Sequence, residues 1–448
     1  MKSDLIIIGA GPGGYETALL AARRGKKVVL INGGRLGGVC LNAGCIPTKC
    51  MVKDASVINT LKEAGEFSAC NVRYDLDFNR VVERRNKVVS QLRDGVAFLL
   101  DKAGVTVVDG MARFKDEFTV TVGDEEYNAE HIIIATGSES KSLPVPGADA
   151  EWILDSTGIL NLEYVPAKLV IVGGGVIGLE FASVFNAFGS EVTVIEYMKN
   201  IAPTFDSDIS KRLKQALSKK GIKIITGAAV TGFSQNEDYQ PVTTYELKGK
   251  TESIVSTDVL MAVGRRPNVG SLDLEKAGVN FSDRGIPVDD NMRTNVSHIY
   301  AIGDVNARMM LAHVASYQGK RALNDIDGIK DEIRFDVVPS ALFSEPECAM
   351  SGMTEEQCKE KQIPVRVAKS FYRSNGKALA MGEGDGYCKL IFNSETDELL
   401  GAHILGAEAA LLAQQCCDFI TARATSRQIA DTIFGHPTLS EIILSAIE

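Results

Sequence analysis

The feature that most constrains this chain is a local pattern that occurs twice: a short apolar strand, a glycine-rich turn, a helix and a second strand. Near the N-terminus Asp4-Leu5-Ile6-Ile7-Ile8 runs into Gly9-Ala10-Gly11-Pro12-Gly13-Gly14, after which Tyr15 to Arg24 reads as helical and Lys27 to Ile31 as a strand. Leu169 to Val172 leads in the same way into Gly173-Gly174-Gly175-Val176-Ile177-Gly178, a helix to about Phe188 and the strand Glu191 to Glu196. A lone glycine turn arises wherever a strand meets a helix closely, but two in this context point to two dinucleotide-binding units. The glycines let the backbone approach a pyrophosphate, and the helix N-terminus offers unpaired N–H groups and partial positive charge. Gly9, Gly11 and Gly14, with Gly173, Gly175 and Gly178, are the candidate cradles.

A chain of 448 residues is too long for one ordinary core, and length alone suggests about three domains. Between the two units Val105 to Phe118 and Glu130 to Ala135 look like strands, and Pro144-Val145-Pro146-Gly147 like a linker. Gly264-Arg265-Arg266-Pro267-Asn268 marks a second boundary, and the pattern changes again after Pro339, where strand-like Lys389 to Phe392 and helical Ala407 to Ala424 follow. The expected architecture is α/β: two Rossmann-like dinucleotide-binding domains plus a C-terminal α+β domain. Its divisions fall at residues 1–147, 148–267, 268–335 and 336–448.

The formal charge of −10 supplies no basic stripe to neutralise phosphates, so a nucleic-acid partner is not expected. The apolar run Leu5 to Ile8 is too short for a signal-peptide core or a membrane span, and the chain reads as cytoplasmic. Nine scattered cysteines do not form a secreted disulfide framework, and with the five histidines they reproduce no zinc-site spacing. No metal is expected, and any disulfide should be catalytic.

Gly37-Gly38-Val39-Cys40-Leu41-Asn42-Ala43-Gly44-Cys45-Ile46-Pro47-Thr48-Lys49 begins just after the first unit closes. A disulfide needs Cα atoms within about 7 Å. Cys40 and Cys45 can meet this only if the backbone curls, which Asn42 and Gly44 ease. Each thiol alone could be a buried core cysteine, but the pair beside a nucleotide site suggests redox chemistry. The reactive form is the thiolate, so positive charge should be near, and Lys49 is a candidate.

Gly37 to Lys49 resembles the redox-active motif of the class I pyridine nucleotide-disulfide oxidoreductases. Ala135-Thr136-Gly137, Gly264 to Asn268, Ala301 to Val305 and His436-Pro437-Thr438-Leu439-Ser440-Glu441 resemble the family's other signatures, in its order. The resemblance implies that the C-terminal domain is a dimerisation domain, that the first unit holds FAD and that the second holds the nicotinamide cofactor. It implies a catalytic set of Cys40, which meets substrate, Cys45, which lies against the flavin, Lys49 near the flavin with Glu180 as its acidic partner, and His436 with its orienting Glu441. An imidazole can take and return a thiol proton near neutral pH. On the FAD side it adds Asn32, Gly38, Ala112, Thr136, Gly137, Asp304 at the ribitol, Ala312 and His313. On the NAD side it adds Glu196, Val230, Ala262 and Gly264.

Glu196, 23 residues after Gly173, can accept hydrogen bonds from the adenosine ribose and would repel a 2′-phosphate, which favours NAD over NADP. Asn32 stands where the family has an acid. An amide still donates and accepts, so weaker ribose contacts are expected, with Asn32→Glu tightening flavin retention. The vicinal Cys416-Cys417 invites comparison with mercuric and large thioredoxin reductases, but its place inside a helix makes it structural.

Leu311-Ala312-His313, Glu196 and His436 to Glu441 resemble family members acting on lipoamide more than those acting on glutathione. The implied reaction is dihydrolipoamide plus NAD to lipoamide plus NADH. The implied partner is a second copy sharing each active site, with lipoamide presented on a carrier domain of a 2-oxo acid dehydrogenase or glycine cleavage complex. The alternatives are an NAD(P)H-dependent reductase of another small disulfide, a diaphorase, or a non-catalytic docking subunit.

Overall fold

The computed structural model describes residues 2–69 and 71–448; Met1 and Cys70 lie outside the described residues. The first sheet places Thr106–Asp109, Val28–Asn32, Lys2–Ile8 and Glu125–Ile134 side by side in parallel. Thr119–Val122 and Ala112–Phe114 extend it antiparallel, and Ile299–Ala301 returns from far along the chain to pair with Glu125–Ile134.

Alternate residues of the opening strand serve different cores. Leu5 and Ile7 pack with Val28, Leu30 and Ile133, whereas Ile6 and Ile8 pack with Val29, Ile31, Ile132 and Ile134. A strand covered on both faces must be apolar at every position, which is why the run lacks alternation. The second sheet repeats this logic: Leu169 and Ile171 face one core, Val170 and Val172 the other. Its parallel order is Lys223–Thr226, Glu191–Glu196, Lys168–Val172, Asp258–Met261 and Ile153–Leu154, with the antiparallel meander Ala228–Gln235, Pro241–Leu247 and Lys250–Val255 beside it.

The run Val105 to Phe118 is not one strand. It divides into Thr106–Asp109 and Ala112–Phe114 at Gly110, and the two pieces occupy opposite edges of the sheet.

The C-terminal region is a five-stranded antiparallel sheet ordered Ser340–Leu342, Cys348–Gly352, Leu399–Leu405, Tyr387–Asn393 and Val365–Phe371. The helices Ala409–Thr421 and Glu441–Ile447 share its core. Cys416 and Cys417 lie in the first of these helices, buried with Cys388. Burial pushes the Cys388 thiol up to about 12 and raises Cys416 and Cys417 as well, so these sulfurs behave as apolar side chains.

Lys389 fastens this region to the second nucleotide unit. Fully buried, its Nζ donates to both carboxylate oxygens of Asp206 at 3.0 and 2.9 Å and to Asp208 at 3.2 Å, with Glu355 at 2.7 Å. These bonds hold the Lys389 ammonium well above the usual lysine range against the opposing effect of desolvation. Among the described residues no helix is long and apolar enough to cross a membrane.

Candidate functional site

Both glycine turns deliver backbone to the C-terminal ends of their sheets, as in open α/β folds generally. Gly9 and Gly173 have φ of +108° and +111°. A Cβ on Gly9 would stand 2.2 Å from Ala135 O, and one on Gly173 2.3 Å from Ala262 O, so neither turn accepts a side chain. Gly14 and Gly178 sit behind the turns, where a Cβ would meet the carbonyls of Gly9 and Gly173 at 1.8 and 2.1 Å. They let each helix lie on its strand. The helix Pro12–Arg23 begins with proline in its first turn and no acidic residue there, which leaves its N-terminal N–H groups free for an anion.

The two turns open into one continuous cavity of about 1780 Å³. It is lined on the first unit's side by Gly9, Gly11, Asn32, Gly38, Ala112, Thr136, Gly137, Asp304, Ala312 and His313, and on the second by Gly173, Gly175, Glu196, Val230, Ala262 and Gly264. Cys40, Cys45, Lys49 and Glu180 line it between them. An elongated dinucleotide fits these walls: the glycines form backbone cradles, and Asn42 Oδ1 on the wall is buried without a hydrogen-bond partner.

Cys40 and Cys45 form a disulfide with Cα atoms 4.7 Å apart. Cys40 lies in the short helix Gly38–Ala43, whereas Cys45 is the first residue of the long helix Cys45–Glu63. The curl between them is tied by Asn42, whose Nδ2 donates to Leu36 O at 2.8 Å and Gly38 O at 2.9 Å. The sulfurs are therefore unequal. Cys45 sits at a helix N-terminus, which stabilises a thiolate.

One turn further, Lys49 Nζ donates to Glu180 Oε1 and Oε2 at 2.7 and 2.8 Å. Glu180 comes from the second unit's helix Val176–Phe188, is buried, and also accepts the Phe343 N–H at 3.0 Å. Lys49 lies over the Phe343 ring, 4.5 Å from its centroid. Three regions of the chain thus converge on one ion pair beside the disulfide.

Glu196 points back at the second glycine turn: Oε2 accepts from Gly174 N at 2.5 Å and Oε1 from Met198 N at 2.6 Å. A carboxylate has about four acceptor sites, so its orientation is set while capacity for ribose hydroxyls remains. His313 Nε2 contacts Pro339 O at 3.0 Å, and burial lowers its pKa, favouring the neutral ring.

His436 and Glu441 line no part of this cavity. His436 Nδ1 meets Glu441 Oε1 at 2.9 Å, and Glu441 Oε2 accepts from Thr438 N at 2.8 Å. The Thr438 N–H, followed by His436, holds the Glu441 carboxyl below its ordinary value. The imidazole is oriented but 79% exposed.

Two groups escaped the sequence reading. Ser138 Oγ donates to Asp304, and Arg265 Nε donates to Ser138 Oγ at 2.7 Å while its Nη2 reaches Ser138 O at 2.6 Å. Arg265 and Arg266 are neighbours on a short strand, so strand alternation turns one inward and one outward, and only pairing with Ser138–Ser140 settles which. The second group is Asp109, whose Oδ1 accepts from Asn32 Nδ2 at 2.8 Å. It works against the expectation for Asn32→Glu, because a second carboxylate there would face Asp109.

A family model described as pyridine nucleotide-disulphide oxidoreductase matches residues 3–319, and that family's dimerisation-domain model matches residues 338–447. Dihydrolipoyl dehydrogenases of Staphylococcus aureus and Geobacillus stearothermophilus are each 40% identical, across 100% of this chain and 96% of theirs. Among solved structures, the HOCl-induced flavoprotein disulfide reductase RclA from Escherichia coli superposes with a TM-score of 0.88 at 31% identity, covering 99% of both chains.

Proposed function

The chain belongs to the pyridine nucleotide-disulphide oxidoreductase family, and on that footing we propose that it catalyses dihydrolipoamide + NAD⁺ → lipoamide + NADH + H⁺. The observation that carries the reading is the Cys40–Cys45 disulfide set in a cavity that both glycine turns enter. Full-length identity to dihydrolipoyl dehydrogenases supports this substrate.

FAD would be held by Gly9, Gly11, Asn32, Thr136, Asp304 and the N-terminus of Pro12–Arg23, and NAD by Gly173, Gly175 and Glu196. Bound FAD supplies the two-electron path from the enzyme dithiol to NAD⁺, which leaves as NADH.

The sulfur chemistry follows from the side chains. His436 of a second copy, oriented by that copy's Glu441, accepts a substrate thiol proton. The substrate thiolate attacks Cys40 Sγ, the Cys40–Cys45 bond breaks, and Cys45 departs as a thiolate favoured by its helix N-terminus and by Lys49. The His436 imidazolium gives that first proton to solvent, and the imidazole then takes the proton of the second substrate thiol. The resulting thiolate attacks the substrate sulfur bound to Cys40, and His436 passes the proton to the departing Cys40 sulfur as lipoamide is released. Covalent exchange makes the kinetics ping-pong. The exposed His436–Glu441 pair outside its own chain's cavity and the dimerisation-domain match support a homodimer that shares its sites. A lipoyl carrier domain of a 2-oxo acid dehydrogenase or glycine cleavage complex is the proposed source of substrate.

The fold likeness to a disulfide reductase favours a second reading, in which the same machinery runs towards reduction of another small disulfide. NAD⁺ reduction by free dihydrolipoamide, assayed beside NADPH oxidation with glutathione disulfide, separates them. Fast NADH formation supports the first reading, and turnover confined to another disulfide overturns it.

A further inference from the structure

The adjoining ends of Val28–Asn32 and Thr106–Asp109 carry a polar pair with a specific chemical consequence. Asn32 and Asp109 are register partners. Asn32 is buried, only 5% exposed, and its backbone carbonyl accepts from Gly110 N at 3.0 Å. Its side-chain Nδ2 has two hydrogens, and both are used: one by Asp109 Oδ1 at 2.8 Å, the other by Gly34 O at 3.0 Å. An ionised carboxylate and a carbonyl can only accept, so these neighbours fix which end of the amide is nitrogen. What remains is Oδ1, engaged only by Gly34 N at a long 3.4 Å. Asn32 lines the cavity with Gly33, Gly34, Gly110 and Met111, whereas Asp109 does not line it.

Resting on the flavoprotein reading above, we propose that Asp109 is a positioning residue for the cofactor. It locks the Asn32 amide so that Oδ1 faces the cavity as a pure acceptor for a ribose hydroxyl of the FAD adenosine. The neutral amide thereby presents one half of a carboxylate, and the negative charge stands one strand away. Without Asp109 the amide would be oriented by Gly34 alone, would present Nδ2 part of the time and would lose much of this selectivity.

The test uses full-length protein loaded either with FAD or with an FAD analogue whose adenosine lacks both ribose hydroxyls, following release by flavin fluorescence. In the unmodified protein the analogue should leave about three- to tenfold faster, the range for one neutral hydrogen bond. Asp109→Ala should bring the two release rates together by speeding FAD release, while Asp109→Asn, whose Oδ1 can accept the same Asn32 N–H, should keep them apart. Asn32→Leu, which leaves Asp109 in place, should also abolish the difference. Equal release of both flavins from the unmodified protein overturns the ribose assignment, and a difference that survives Asp109→Ala overturns the positioning role of Asp109. A protein that takes up neither flavin overturns the flavoprotein reading itself.

Discussion

Replacing Glu180 by Gln keeps the shape of the Lys49 contact and the bond from Phe343 N but removes one buried negative charge. Lys49 follows Cys45 by one helical turn, and the Glu180 carboxylate lies 2.7 Å beyond its Nζ. One turn separates Cβ atoms by about 5–6 Å, and with the carboxylate beyond the Lys49 side chain the working separation from the Cys45 sulfur is taken as on the order of 9 Å. A unit charge at about 9 Å in an effective dielectric near 20 contributes about 2 kcal/mol. In the proposed mechanism the reduced site carries a thiolate at Cys45, so removing Glu180 should favour reduction. For a two-electron couple about 30 mV corresponds to 1.4 kcal/mol, giving a rise of about 40 mV. Lys49→Met removes the opposite charge and should lower the midpoint by a comparable amount. Redox titration of the FAD-loaded protein against a dye of known potential reads both shifts. A midpoint unmoved in both variants, or shifts of the same sign, would refute the electrostatic role given to this pair.

The disulfide should respond asymmetrically: Cys40→Ser leaves a Cys45 thiolate beside oxidised flavin, giving a long-wavelength absorbance band before any reductant is added, and Cys45→Ser gives none. The reverse pattern would exchange the two roles. His436→Gln should reduce dihydrolipoamide turnover by about 100- to 10,000-fold, the usual loss for a general base, with flavin reduction by NADH unchanged; an equal loss in both half-reactions would refute the assignment. Lys389→Met leaves Asp206, with no side-chain exposure, as an uncompensated buried charge, and should cost about 3–5 kcal/mol in denaturant unfolding. A loss under about 1 kcal/mol would show that the cluster does not fasten the C-terminal region.

The two nucleotide units were legible in the sequence because strand, turn and helix are contiguous there. Leu5 to Ile8 must be apolar throughout once both faces are covered, and Gly9 and Gly173 are demanded by carbonyls at Ala135 and Ala262. The Cys40/Cys45 pair was legible for the same local reason, since Asn42 and Gly44 lie inside the loop that the disulfide closes. The pairing of Lys49 with Glu180 was suggested by family resemblance, not by the residues themselves, because the partners are 131 positions apart. Tertiary structure alone decided which of Arg265 and Arg266 turns to Ser138, that Asp109 stands behind Asn32, and that His436 lies outside its own chain's cavity. Each depends on which strand ends or subunit surfaces become neighbours. A charge or amide acquires its role from what lies within about 3 Å of it, and strand pairing and chain folding set that distance where sequence spacing does not.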